Sequence, residues 1–178
     1  MTASATKTAG TGTKITVYHY LENANDNNYT LTDTVETTGT TGATITLANY
    51  KKNPMYTNYT YSKGSLTAGG ASATTTTVAA DGSTKLYLYY TRNKYTLTVS
   101  AGSNISSVSG GGTYKFGQSV TIDATLATAT GYTITFEKWT SSNTGLLANN
   151  TTKNATITMP AGNVTMTASA TKTVGSDI

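Results

Sequence analysis

Over residues 14–20 apolar and polar side chains alternate, with Ile15, Val17 and His19 on one face and Thr16, Tyr18 and Tyr20 on the other. A period of two marks a half-buried strand. The Asn-rich stretch over 22–28 reads as a turn, because Asn and Asp tolerate left-handed backbone, and residues 29–36 return as the second arm of a hairpin. Residues 44–52, bounded by Gly42 and Pro54, predict the one short helix of this half. Residues 56–61 and 73–78 read as strands, and Asp81-Gly82 turns the chain into 85–92, where Leu86, Leu88 and Tyr90 share a face.

A second cycle begins after Asn93-Lys94: Tyr95, Leu97 and Val99 alternate against Thr96, Thr98 and Ser100. Ser109-Gly110-Gly111-Gly112 is a turn cluster. Val120, Ile122 and Ala124 line one face of the next strand, and Tyr132, Ile134 and Phe136 line another that runs into Trp139. Ala155, Ile157 and Met159 lead to Pro160, and a last strand over 163–173 carries Val164, Met166, Ala168 and Ala170 on one phase. The pattern predicts a mainly β chain of two small tandem domains, 14–93 and 94–173, flanked by a remnant and linker over 1–13 and a linker over 174–178.

The remnant is recognised by identity. Met1-Thr2-Ala3-Ser4-Ala5-Thr6-Lys7-Thr8 recurs letter for letter as Met166-Thr167-Ala168-Ser169-Ala170-Thr171-Lys172-Thr173, and Gly10 and Gly175 keep the register. The implied period is far longer than the 20–50 residues of a solenoid unit. The chain therefore reads as one copy from a tandem array of folded beads, whose neighbours are other copies. Residues 1–8 then hold strand sequence without the domain that buries it, either an orphan tail or a strand that pairs with a sheet edge of this or another copy. Each bead is close to the size at which a single core is marginal. The near absence of a linker between Tyr90 and Tyr95 argues for a stiff joint between the beads, and Gly10-Thr11-Gly12-Thr13 is the better hinge.

Composition narrows the function classes. About a quarter of the 178 residues are Thr, and Tyr outnumbers Phe 13 to 2, a strand-forming composition that tolerates a wet face. The net charge of +4 comes from scattered lysines without a basic stripe, so nucleic acid is not an expected partner. Cysteine is absent, which excludes disulfides and thiolate metal sites. No run of 18 apolar residues and no signal peptide occur, so membrane insertion is not expected of this segment; for an exported array, signal and anchor lie elsewhere. Asn-x-Ser/Thr sequons at Asn28, Asn58, Asn104, Asn150, Asn154 and Asn163 are what a Thr- and Asn-rich composition generates by itself.

Two resemblances rest on named residues. Ile15-Thr16-Val17-Tyr18-His19-Tyr20, Tyr29-Thr30-Leu31-Thr32-Asp33-Thr34, Thr38-Gly39-Thr40-Thr41-Gly42, Thr77-Val78-Ala79-Ala80-Asp81-Gly82-Ser83 and Leu88-Tyr89-Tyr90-Thr91-Arg92 resemble the mucin-binding-protein (MucBP)-like repeats of Gram-positive surface proteins. The second half resembles the divergent internalin B-repeat family through Tyr95-Thr96-Leu97-Thr98-Val99, Gly112-Thr113-Tyr114-Lys115-Phe116-Gly117, Gly131-Tyr132, Phe136-Glu137-Lys138-Trp139 and Ile157-Thr158-Met159-Pro160. The resemblances imply a ubiquitin-like β-grasp or related α+β sheet with one short helix for the first domain, and a small all-β module for the second. They imply the monomeric, extracellular stalk of a cell-wall adhesin, with no catalytic residue to carry over. The first half departs from the mucin-binding pattern at Asn23 to Asn28 and at Tyr56-Thr57-Asn58-Tyr59.

Candidate chemistry is sparse. His19 is the only histidine, and its inward phase suits a packed side chain better than a catalytic base. Glu22, Asn23, Asn25, Asp26 and Asn27 carry oxygens at spacings calcium uses, but without a following bidentate Glu they suit a solvated turn. Lys14 or Lys94, facing an Asn beside a buried acid such as Glu36, Asp123 or Glu137, is the arrangement an autocatalytic isopeptide needs. Tyr18, Tyr20, Tyr87 and Tyr89 fall on the outward phases of adjacent strands and are the candidate contacts for a host glycan, mucin or host protein. Packing against the next bead is the plainer use of the same rings. No enzyme activity, cofactor or metal is expected.

Overall fold

The computed structural model describes residues 12–146 and 150–175. The opening octapeptide, Gly10 and Thr11 of the expected hinge, and the last three residues of the expected 174–178 linker lie outside them. The chain divides into two compact units at the bond between Arg92 and Asn93. Both are built from strands.

The first unit holds β1 (Thr13–Glu22), β2 (Tyr29–Gly39), β3 (Thr44–Thr46), β4 (Tyr59–Ser65), β5 (Thr75–Thr77) and β6 (Thr84–Arg92). Its main sheet has the order β2-β1-β6-β4. β1 and β2 form the expected antiparallel hairpin, while β1 and β6 run parallel at the centre. Alternation fixes which face is inside: Ile15 and Val17 from β1 and Leu86, Leu88 and Tyr90 from β6 are buried with Leu47 and Val78.

The helix expected over 44–52 is replaced by β3 and a single 3-10 turn, Leu47–Tyr50. Thr44, Ile45 and Thr46 are β-branched, and they pair with Thr77, Thr76 and Thr75 of β5. The turn that follows has no side-chain cap and no acidic residue at its start, so it gains little from extending. What holds it is Leu47, fully buried against Gly64: a Cβ on residue 64 would sit 2.7 Å from Leu47 Cδ2.

The second unit holds β7 (Lys94–Ala101), β8 (Ile105–Ser109), β9 (Gly112–Lys115), β10 (Ser119–Leu126), β11 (Tyr132–Ser141), β12 (Ala155–Thr158) and β13 (Val164–Val174). One sheet has the order β12-β10-β8 and the other β11-β13-β7-β9, with β13 and β7 parallel at its centre. A single apolar cluster draws Val120, Ile122, Ala124, Ala155 and Ile157 from the first sheet and Leu97, Trp139, Val164, Met166 and Ala168 from the second. The Ala residues on β13 leave room for Trp139, which pairs with Ala168 and is 2% exposed.

One residue decides where Trp139 points. Strict alternation from Phe136 would put Trp139 on the opposite face, but β11 carries an extra residue between Phe136 and Lys138 in its pairing with β13. This bulge at Glu137 returns Trp139 to the side of Phe136, with ring centroids 5.9 Å apart.

Candidate functional site

The inward phase of β1 and β6 builds the core of the first unit, so their outward phase carries Tyr18, Tyr20, Tyr87 and Tyr89. Parallel register sets Tyr18 beside Tyr87 and Tyr20 beside Tyr89. The Tyr18 and Tyr87 centroids are 4.9 Å apart with planes 19° from parallel, and those of Tyr20 and Tyr89 are 5.1 Å apart at 22°. Tyr20 also approaches Tyr87 at 6.3 Å, and Tyr29 at the start of β2 meets Tyr89 edge-on at 5.2 Å. Offset stacking of this kind adds about 0.5–1.5 kcal/mol per pair beyond the area buried.

The four rings are not equally accessible. Tyr89 is 4% exposed; its hydroxyl accepts a hydrogen bond from the Gly69 N–H at 2.6 Å, and Lys63 Nζ stands 5.2 Å from its ring centre. Tyr18, Tyr20 and Tyr87 are half-buried. Burial, reinforced by the neighbouring tyrosines, holds the Tyr20 and Tyr87 hydroxyls above their ordinary pKa. Because the stacked rings turn faces toward one another, the ladder offers hydroxyls and ring edges more than open faces. Sugar rings stack on open faces. Leu31, 46% exposed, pairs with Tyr20 and prolongs the row onto β2.

On the inner side, His19 is 2% exposed, as its phase implied, and Nδ1 lies 2.8 Å from the Tyr90 hydroxyl. That hydroxyl also accepts the Lys52 backbone N–H at 3.0 Å, so one phenol oxygen joins the His19 ring to the backbone that follows the 3-10 turn. Burial lowers the His19 pKa against the opposing pull of Asp33, whose carboxylate takes a 2.5 Å bond from Lys52 Nζ. The Tyr90 and Tyr56 hydroxyls are pushed up to about 12, chiefly by burial. Buried and hydrogen-bonded to the Tyr90 hydroxyl, His19 packs into the inner face of this sheet.

The remaining candidates resolve into structural roles. In the 22–28 turn, Asp26 accepts from the Asn28 N–H at 2.7 Å and from Asn23 Nδ2 at 3.2 Å, Asn23 Oδ1 accepts from Thr30 at 2.6 Å, and Glu22 Oε2 accepts from the Arg92 N–H at 2.8 Å. The oxygens a cation would need are serving the turn and the sheet, and no cluster of three or more metal-binding side chains occurs among the described residues. The isopeptide arrangement does not form: Lys14 meets Glu36 itself at 2.7 Å, and the side chains of Glu36, Asp123 and Glu137 are 62%, 41% and 44% exposed rather than buried. Of the sequon asparagines, Asn104 donates its Nδ2, the atom a glycan would occupy, to the Ala170 carbonyl at 2.8 Å. Asn163 Oδ1 accepts from the Thr96 N–H at 2.9 Å.

Neither the Tyr90–Lys52 contact nor the Gly69 loop over Tyr89 could be anticipated from the sequence; the partners are 38 and 20 positions apart with no shared pattern. Among the described residues no helix is long and apolar enough to cross a membrane. No curated protein and no solved structure matches the chain. Residues 95–173, the second unit from β7 almost to the end of β13, match the family described as the divergent InlB B-repeat domain, which points to a repeat module of a bacterial surface protein.

Proposed function

We propose that the chain is a non-catalytic tandem spacer repeat in the stalk of a large bacterial cell-surface adhesin, holding a distal binding domain away from the cell wall. The observation that carries this reading is the recurrence of residues 166–173 as residues 1–8. In the second unit those residues lie in β13, an interior strand whose Met166, Ala168 and Ala170 are buried. A core strand spelled out again ahead of β1 is the pattern that copies joined end to end produce. The family match of the second unit agrees with a repeat module. For the first unit, the mixed sheet with its parallel central pair supports the β-grasp, mucin-binding-type reading, with the single 3-10 turn where the helix of such a fold would be. Small-angle scattering on one copy and on two tests the proposal: the maximum dimension should grow almost in proportion to copy number, and a dimension that barely grows overturns it.

The tyrosine ladder favours a second reading, a host-adhesion module in which Tyr18, Tyr20, Tyr87 and Tyr89 contact a glycan, a mucin or a host protein. Its rings are consumed by mutual stacking, and this ranks it below the spacer. A glycan array and a mucin pull-down comparing the unaltered chain with Tyr18→Ala and Tyr87→Ala decide it; Tyr89→Ala would probe packing instead. Binding lost in both variants supports this reading, and silence of the unaltered chain removes it.

A further inference from the structure

In each unit the first and last strands of the main sheet are parallel neighbours. β1 pairs with β6 over seven register positions, from Ile15 opposite Thr84 to Leu21 opposite Tyr90. β7 pairs with β13 over five, from Leu97 opposite Val164 to Ala101 opposite Ala168. The chain enters each unit at the start of one of these strands and leaves at the far end of its partner. Tension along the chain therefore drags the two strands past each other lengthwise. Backbone bonds evenly spaced along a parallel ladder then share the load, whereas an antiparallel pair pulled apart from one end breaks them in turn. Each bond is worth only about 0.5–1.5 kcal/mol by itself, so the geometry of loading, more than bond strength, sets the resistance.

Side chains close the ladders where the force enters or leaves. At the exit of the first unit, the Arg92 N–H donates to Glu22 Oε2 and Arg92 Nε donates to the Glu22 carbonyl, both at 2.8 Å, tying the end of β6 back to β1. In the second unit, Asn163, just ahead of β13, accepts from the Thr96 N–H of β7. Beyond Ala101, the Gly102 N–H donates to the Ala168 carbonyl at 2.8 Å, the Ala170 N–H to the Ser103 carbonyl at 2.9 Å, and Asn104 Nδ2 to the Ala170 carbonyl.

From this geometry we propose that both units are shear clamps, with β1–β6 and β7–β13 as their load-bearing ladders and the second, shorter clamp the first to yield. The proposal rests on the spacer reading, since only a tethered stalk bears sustained tension. Single-molecule force spectroscopy on the whole chain tests it. The chain has no cysteine, so an introduced thiol attaches at its chosen position alone. Pulled by its ends, the chain should show two ruptures, each several-fold stronger than when the same fold is pulled through Lys14→Cys and Thr38→Cys, or through Thr96→Cys and Thr113→Cys. Those pairs face each other across antiparallel strands and open a ladder from one end. Arg92→Ala should weaken only the stronger of the two end-to-end ruptures, and Asn163→Ala only the weaker.

End-to-end ruptures no stronger than the cross-strand ones overturn the clamp. So does an Asn163→Ala effect on the stronger event, which would invert the order of yielding. Because scattering reports dimension and not strength, a weak chain whose two-copy dimension still grows in proportion removes the clamp and leaves the spacer. A dimension that fails to grow removes the spacer whatever the force.

Discussion

His19, Tyr90 and Tyr56 meet at the inner face of the first sheet, yet the same kind of change at two of them should act in opposite senses. Tyr90→Phe leaves both the Lys52 N–H and His19 Nδ1 without the hydroxyl they share, and should destabilise the unit by about 1–3 kcal/mol. The Tyr56 hydroxyl is buried with no hydrogen bond of normal geometry, and it feels the Asp33 carboxylate only through a weaker contact. Tyr56→Phe should therefore be neutral or stabilising in urea titrations, because it removes a desolvated group and keeps the ring. His19 supplies the pH dependence: its folded pKa lies below the ordinary 6.5, so the unfolded chain takes up a proton first. Stability is then unaffected above that value and falls as pH drops from there toward the lower folded pKa. His19→Gln keeps an acceptor without a titrating ring and should flatten this acid limb in melting curves. Tyr56 and Tyr90, held near 12, act at the other end, where the unfolded chain ionises first and stability falls as pH rises from about 10.

Elements were legible wherever alternation was strong. The inward and outward phases of β1, β6, β7, β10 and β13 follow from Ile, Val, Leu, Met and Ala recurring every second position, and the tyrosine row follows from the same phase. β8 and β9 passed unnoticed because Ser-rich and Gly-flanked segments carry little apolar signal; their strand character comes from pairing with β10 and β7. The helix over 44–52 failed for the converse reason, since β-branched residues beside a pairing partner prefer extension. Bulges were invisible to a period-two reading, and Glu137 shows what one decides. Deleting Glu137 should turn either Trp139 or the Tyr132–Phe136 arm away from its present side, costing about 3–5 kcal/mol if the indole is lost from the core. A red shift in tryptophan emission with a lowered melting temperature would register it; unchanged emission would mean that β11 slips to restore the contact. At Gly110, φ is +100° and a Cβ would lie 2.4 Å from the Thr121 carbonyl oxygen, so Gly110→Ala should cost at least about 1–3 kcal/mol in thermal or denaturant melts.

At the scale of the molecule, the sequence disclosed repetition more clearly than chemistry. Met1–Thr8 could be matched to Met166–Thr173 by eye, but not the fact that the repeated letters occupy an interior strand, because burial of β13 depends on β7 and β11, which lie far away in sequence. Nor did alternation reveal that first and last strands run side by side in the same direction, since a strand's pattern is silent about its neighbour. The distribution of aromatic residues adds a practical consequence. Ten of the 13 tyrosines precede Asn93, whereas the lone tryptophan is buried in the second unit beside Phe136. Emission excited at wavelengths only indole absorbs thus watches one unit, while the near-ultraviolet dichroism of the stacked phenols watches the other. Trp139→Phe should extinguish the first signal and spare the second, so that a single unlabelled sample reports in two colours which half gives way.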